Sequence, residues 1–354
     1  MSHPTIKSHQ RRRLLQMLGA LPAVAALTGV PGCGGRGADA PLATVIDRRV
    51  AVGADVKLHV RDWKTGNASE VIVLLAGLGG TAHGFDSLAP ALARHARVLA
   101  VTRRGYGQSD KPTPSATNRY DTATLVADLI ALFDALGIDR ALLAGHSIAG
   151  NELTLFAGRH PQRVRGLVYL DTSYNYRDTP SWEGEMPNNP ALGEPEPTPA
   201  DRASMAAAIA FGKRVNKNWP PAMEANLRDT LAVAADGSVH DTTSVEIATA
   251  VYDQGHEFWP DYAAVRAPAL AILAEQKEVR DLLPWIPAGA DAKTIADATV
   301  LVAGWRKLRR KDFDRLVAAL PGCQRLYIDN SYHSDFFIEY QAEVVRAIEA
   351  LRWA

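Results

Sequence analysis

The stretch "LLAGHSIAGNEL", residues 142–153, is a run of apolar and small residues that stops at Ser147 and restarts with the spacing of a helix. A buried strand that ends this way pushes one hydroxyl out at the edge of a sheet. Gly145 and Gly150 let the strand and the following helix approach closely, and the serine between them sits on a turn tight enough to strain its backbone. A serine that merely caps a helix gives a similar local pattern, so the surrounding sequence has to decide between the two.

Working outward, apolar runs and periodic segments alternate. "RRVAV" and "VKLHVRDW" read as an opening pair of strands, while "VIVLLAG" (71–77), "RVLAVTRR" (97–104), "ALLAG" and "VRGLVYLD" (164–171) read as buried strands. Residues 83–95 have helical spacing. Asp121 is placed to cap a helix with Leu125, Leu129, Leu132, Phe133 and Leu136 on one face, and another helix runs from about Ile148 to Arg159. This alternation predicts an α/β fold with a mostly parallel central sheet and helices on both faces.

The rhythm breaks between Thr172 and about Arg266, where a proline-rich acidic loop leads into alanine-rich helical pieces with no clear strand. A stretch of that length between two strands predicts a helical lid, residues 172–266, inserted into a core of residues 44–171 and 267–354. Trp219, His256, Phe258 and Trp259 in the lid suggest an apolar pocket. Strands resume at "PALAILAE" (268–275) and "CQRLYID" (323–329), and the amphipathic helix "FFIEYQAEVVRAIEALRW" closes the chain.

Bulk composition narrows the function. The 354 residues are 47% hydrophobic and 22% charged, as in a globular protein. With 39 lysines and arginines against 39 acids, no net field would draw the chain to nucleic acid. The basic stretch "WRKLRRKDFDR" (305–315) reads as a solvated helix face, since Asp312 and Asp314 interrupt it at helical spacing. No paired cysteines or helical H-x-x-x-H point to a metal, and no cofactor is expected.

The N-terminus is different in kind. Three arginines, an apolar segment broken by Gly19 and Pro22, then small residues and a cysteine follow the order of an export signal over residues 1–33. Arg11 to Leu15 resemble a twin-arginine signal, and Val30-Pro31-Gly32-Cys33 looks like a lipoprotein box that would lipidate Cys33. Cleavage at Ala38-Asp39-Ala40 and an uncleaved anchor compete with that reading. Residues 34–43 suit a flexible tether. The expectation is an exported envelope or periplasmic protein, held to the membrane by its lipid. Cys323, the other cysteine, reads as a small core residue.

Two further motifs bear on Ser147. "LLAGLGGT" (74–81) closes a buried strand with a glycine loop whose backbone amides suit an oxyanion, with the N–H groups of Leu78 and Ile148 as the donors. "TRRGYGQSDKP" (102–112) follows the next strand. With these three motifs the chain, from about residue 45 onward, resembles the serine-nucleophile branch of the α/β-hydrolase superfamily with a helical lid. Three departures stand out: Ala149 in place of the second glycine of G-x-S-x-G, Ala76 where many members have histidine, and Thr102 where many have an acid.

The resemblance implies a base in the loop after the last strand, which here is His333 in "DNSYHSDFF". His146 neighbours the nucleophile and is expected to point away from it. The family's usual acid position holds Lys277, which cannot accept an imidazole N–H. Asp171, at the end of the strand after the elbow helix, is the alternative used by some branches; Glu275, Glu278 and Asp281 compete. A serine nucleophile excludes the carboxylate-dependent dehalogenases and epoxide hydrolases. It implies acyl transfer from a small-molecule substrate to water, with carboxylic esters first and amides, carbon–carbon bonds beside a carbonyl, or perhydrolysis as alternatives. From another class, a non-catalytic envelope binding protein on the same scaffold is the competing reading.

Overall fold

The computed structural model describes residues 44–64, 69–173, 187–320 and 322–352; the signal at 1–33 with Cys33, and the tether at 34–43, lie outside these. The described residues form ten strands: β1 (Thr44–Ala51), β2 (Lys57–Lys64), β3 (Val71–Leu75), β4 (Arg97–Thr102), β5 (Ala141–His146), β6 (Val164–Leu170), β7 (Leu231–Val233), β8 (Val239–Asp241), β9 (Ala269–Glu275) and β10 (Gln324–Asp329). Eight of them make one sheet in the order β1-β2-β4-β3-β5-β6-β9-β10. β2 is antiparallel to both neighbours, and every pairing from β4 through to β10 is parallel. The central strands are apolar on both faces, so they require cover on both.

Helices supply that cover. They are α1 (Leu88–Leu92), α2 (Thr122–Ala135), α3 (Ala149–Arg159), α4 (Met205–Val215), α5 (Pro221–Thr230), α6 (Val245–Glu257), α7 (Val279–Leu282), α8 (Ala292–Ala319), α9 (Phe336–Glu339) and α10 (Gln341–Arg352). On one face Leu129 and Phe133 of α2, Leu153 and Phe156 of α3 and Phe313 and Leu316 of α8 pack on β5, β6 and β9. On the other, Leu88 and Leu92 of α1 and Val344 and Ile348 of α10 do the same. Asp121 caps α2 by accepting from Thr124 N at 2.8 Å, as its position implied.

Several local expectations change. Residues 83–95 form a short 3-10 turn, Ala82–Phe85, and then α1, rather than one helix. The segment between β6 and β9 holds α4, α5 and α6 and also the β7–β8 hairpin, which turns through Asp236 and Gly237, the latter at φ 86°. The closing helix is broken at Tyr340 into α9 and α10. Residues 305–315 do lie on a helix, α8, but not on a purely solvated face, because Arg309 and Asp312 are buried with Trp305 and Phe313. Cys323 is half-buried against the core, and burial pushes its thiol up to about 11.

Candidate active site

Ser147 closes β5 in a left-handed conformation, φ 55°, and is 1% exposed. Its N–H donates to Leu170 O at 3.1 Å, which ties the turn to the end of β6. The glycines around it are required by space: a Cβ at Gly150 would stand 1.9 Å from Thr172 Oγ1, and one at Gly145 would stand 3.1 Å from the Ala149 Cβ. The departure at position 149 is therefore accommodated by its partner, since the Ala149 methyl packs over a residue that has none.

Asp171 closes the neighbouring strand β6, again left-handed at φ 51°. His333 follows β10, beyond the left-handed Asn330 at φ 53°. The structure brings the three together: His333 Nε2 lies 3.1 Å from Ser147 Oγ, and His333 Nδ1 lies 2.5 Å from Asp171 Oδ2. The other oxygen, Oδ1, accepts from Ala274 N at 3.0 Å and from Arg309 Nη2 at 2.7 Å. Burial alone would raise the Asp171 carboxyl; the Arg309 charge, the His333 hydrogen bond and the Ala274 amide outweigh it and hold the group at about 2.

The competing acids are engaged elsewhere. Glu275 is gripped by Arg310, at 2.6 and 2.7 Å, and by Arg306 at 3.2 Å. Glu278 caps α7, while Asp281 accepts from the N–H groups of Lys277 and Glu278 and pairs with Lys217 at 2.9 Å. Lys277 itself binds Asp329 at 2.6 Å.

His146 does not simply turn away from the site. Its ring lies 4.6 Å, centroid to centroid, from that of His333, and its Nε2–H donates to His333 O at 2.9 Å. Burial, and then the charge of His333, lower it to about 3, so it stays neutral and keeps that donor. Gln276 Nε2 donates to Ser331 O at 3.3 Å and Ser331 Oγ to Ile328 O at 2.7 Å, so the loop carrying His333 is held at several points.

Leu78 and Ile148 lie on the loop after β3 and at the start of α3, and no acceptor among the described residues takes either N–H. Arg103, 6% exposed, joins these two elements: it donates to Gly77 O at 2.7 Å and Ala76 O at 2.8 Å, and pairs with Glu152 of α3 at 2.6 Å. The departure at Thr102 has a local use, since its Oγ1 accepts from Ala82 N at 2.8 Å. Sequence reasoning passed over both Arg103 and Arg309. The first stood in a quoted motif without a partner in view, and the second stood in a charge run.

The β6–β9 segment sits on this framework. Asn226 of α5 accepts from Thr81 N at 2.7 Å, Thr243 donates to Gly105 O at 2.7 Å, and Asn151 donates to Gly255 O at 3.1 Å. Trp219 packs inside the segment with Leu227, and Trp259 lies under the Arg315 guanidinium. One cavity of the segment is lined by Phe211 and by neither of those tryptophans. Elsewhere Asp47, His59 and His83 converge with ligand atoms within 4.8 Å of one another. Arg61 Nη1 already stands there as the cation, 3.1 Å from Asp47 Oδ1 and 3.3 Å from His83 Nε2.

Comparison with known proteins agrees with this architecture. The chain is 34% identical over 123 residues to a 2-hydroxy-6-oxo-2,4-heptadienoate hydrolase of Pseudomonas putida, covering 34% of this chain and 43% of that one. It is 35% identical over 122 residues to a 2-hydroxy-6-oxononadienedioate/2-hydroxy-6-oxononatrienedioate hydrolase of Burkholderia vietnamiensis, covering 33% and 41%. The alignments thus span less than half the length of these relatives. Among solved structures, E-2-(acetamidomethylene)succinate hydrolase superposes with a TM-score of 0.60 at 20% identity, over 88% of this chain and 100% of that chain, a likeness of fold alone. A family model described as alpha/beta hydrolase fold matches residues 70–282, more than half of the chain. The chain belongs to the α/β-hydrolase family and is an enzyme of that fold.

Proposed function

We propose that the protein is a serine hydrolase that transfers an acyl group from a carboxylic ester to water. One observation carries the reading: the continuous hydrogen-bonded chain from Ser147 Oγ through His333 to the ionised Asp171. Ser147 Oγ attacks the carbonyl as His333 Nε2 takes its proton, and Asp171 fixes the imidazole tautomer and steadies the imidazolium. The N–H groups of Leu78 and Ile148 receive the charge that develops on the carbonyl oxygen. His333 then returns the proton to the leaving alcohol, and water, activated in the same way, releases the acid. Export and lipid attachment at Cys33 belong to the same proposal and rest on the leader sequence alone.

The test is labelling with a fluorophosphonate probe, located by intact mass, alongside hydrolysis of 4-nitrophenyl esters. Labelling of the wild type that is lost in Ser147→Ala and His333→Ala, and strongly slowed in Asp171→Asn but not in Glu275→Gln, is the expected result. A folded wild type that takes up no label and cleaves no ester would favour the binding-protein reading instead.

The two relatives named above support a second reading. Their named substrates are 6-oxo-dienoates, which contain no ester or amide, so a hydrolase acting on them cuts a carbon–carbon bond beside the ketone. Turnover of a 2-hydroxy-6-oxo-dienoate far faster than of any ester would select it.

A further inference from the structure

His333 stands in the connection between β10 and α9, and the core holds that connection unevenly. His146 takes the His333 carbonyl at 2.9 Å. The two bonds that tie Ser331 across to the end of β9 are long: its N–H reaches Glu275 O at 3.4 Å, and its carbonyl accepts from Gln276 Nε2 at 3.3 Å. A general base loses much of its effect when displaced by a fraction of an ångström, so the source of the remaining hold matters.

That hold comes from the turn between α4 and α5, in the segment inserted between β6 and β9. Lys217 Nζ donates to the carbonyl of Asn330, the left-handed residue that opens the connection. Asn218 Nδ2 donates to Asp335 Oδ2 at 2.9 Å, where the connection closes. His333 is therefore gripped on both sides by the same turn. Asp335 is fully buried at the N-cap of α9, yet its side chain accepts from none of that helix's N–H groups. An aspartate so placed ordinarily caps its own helix, and this one is turned to the inserted segment instead. Neither donor is loose: Lys217 also pairs with the buried Asp281 at 2.9 Å, and Asn218 reaches Glu339 Oε2 at 3.0 Å. On the helix that follows, Asn226 holds Thr81 N at 2.7 Å, so this part of the segment touches both the base's connection and the end of the glycine loop.

We propose that Lys217 and Asn218 are positioning residues for His333: docking of the α4–α5 turn completes the mount of the base, and the inserted segment thereby takes part in proton transfer without supplying a reacting group. The inference rests on the hydrolytic reading. It makes the seating of the segment, and not merely its presence over the sheet, a condition of turnover.

Steady-state hydrolysis of 4-nitrophenyl acetate and proton NMR together provide the test. The 2.5 Å bond from His333 Nδ1–H to Asp171 places that proton far downfield, identified by its loss in His333→Ala, and it reports on the base whether or not substrate is turned over. Asn218→Leu, which leaves every charge in place, and Lys217→Met are each expected to broaden the resonance and to lower kcat about tenfold, with KM changed by less than about twofold. Lys217→Arg, which keeps the charge and the donor, should stay near the wild type in both readouts. Asn218→Leu decides the matter if Lys217→Met, which strands the buried Asp281, does not fold.

An unmoved resonance or an unchanged kcat in the folded variants would overturn the inference while leaving ester hydrolysis intact. If the wild type cleaves no ester, the hydrolytic reading fails and the resonance alone decides: broadening in Asn218→Leu sustains the positioning role, and a wild-type line removes it.

Discussion

Arg309 and His333 share one carboxylate, from opposite sides: the guanidinium on Asp171 Oδ1 and the imidazole on Oδ2. The Arg309 charge does most to offset the burial of that carboxyl. Without it, Asp171 would keep its proton to higher pH and could no longer accept from His333 as an anion. Arg309→Met is therefore expected to move the acid limb of the kcat/KM profile to higher pH and to cost about 3–5 kcal/mol of stability, as breaking a buried pair does. Arg309→Lys, which keeps the charge, should hold the limb near its wild-type position. A uniform loss of rate at every pH, with the limb unmoved, would reduce Arg309 to a packing residue. Ser147 and His333 were legible in the sequence because motif and chain order point to them, whereas Asp171 was one of several competing carboxylates that sequence alone did not separate. Arg309 was not, because it lies 138 positions from Asp171 and its flanking charges have the signature of a solvated face.

The elements show the same division. The buried strands were legible, since runs such as "VIVLL" and "ALAILAE" have to be covered on both faces. The β7–β8 hairpin was missed because three-residue strands carry almost no periodic signal, although the Asp236-Gly237 pair was there to be read. Between elements the largest unforeseen feature is the Arg103–Glu152 pair, which ties the loop after β3 to helix α3. These two elements carry the Leu78 and Ile148 amides proposed as oxyanion donors, so under that proposal Arg103 sets the spacing of groups it does not itself supply. Arg103→Leu is expected to lower kcat by tenfold or more with little change in KM, because the amides act chiefly on the transition state. Stopped-flow acylation of Ser147 with a 4-nitrophenyl ester reads this directly; an unchanged acylation rate in a folded variant would contradict it.

At the scale of the molecule, the chain divides its conformational comfort unevenly. Among the described residues, the only non-glycine positions in the left-handed region are Ser147, Asp171 and Asn330, at the ends of β5, β6 and β10. Each begins one of the three loops that converge on the site, and the sheet supports all three. Glycine at such a position relieves a cost of about 1–2 kcal/mol for serine, and less for aspartate or asparagine, whose short polar side chains tolerate it better. Ser147→Gly should therefore melt at a higher temperature than the wild type while losing ester hydrolysis, and Asn330→Gly should gain less stability and retain activity. Equal or lower melting temperatures for both would show that the surrounding contacts, not the backbone, set the balance. At Ser147 and Asp171, though not at Asn330, durability and the proposed chemistry thus pull in opposite directions. A breeder selecting this protein for endurance alone, generation after generation, would find improvements first in the residues that make it an enzyme.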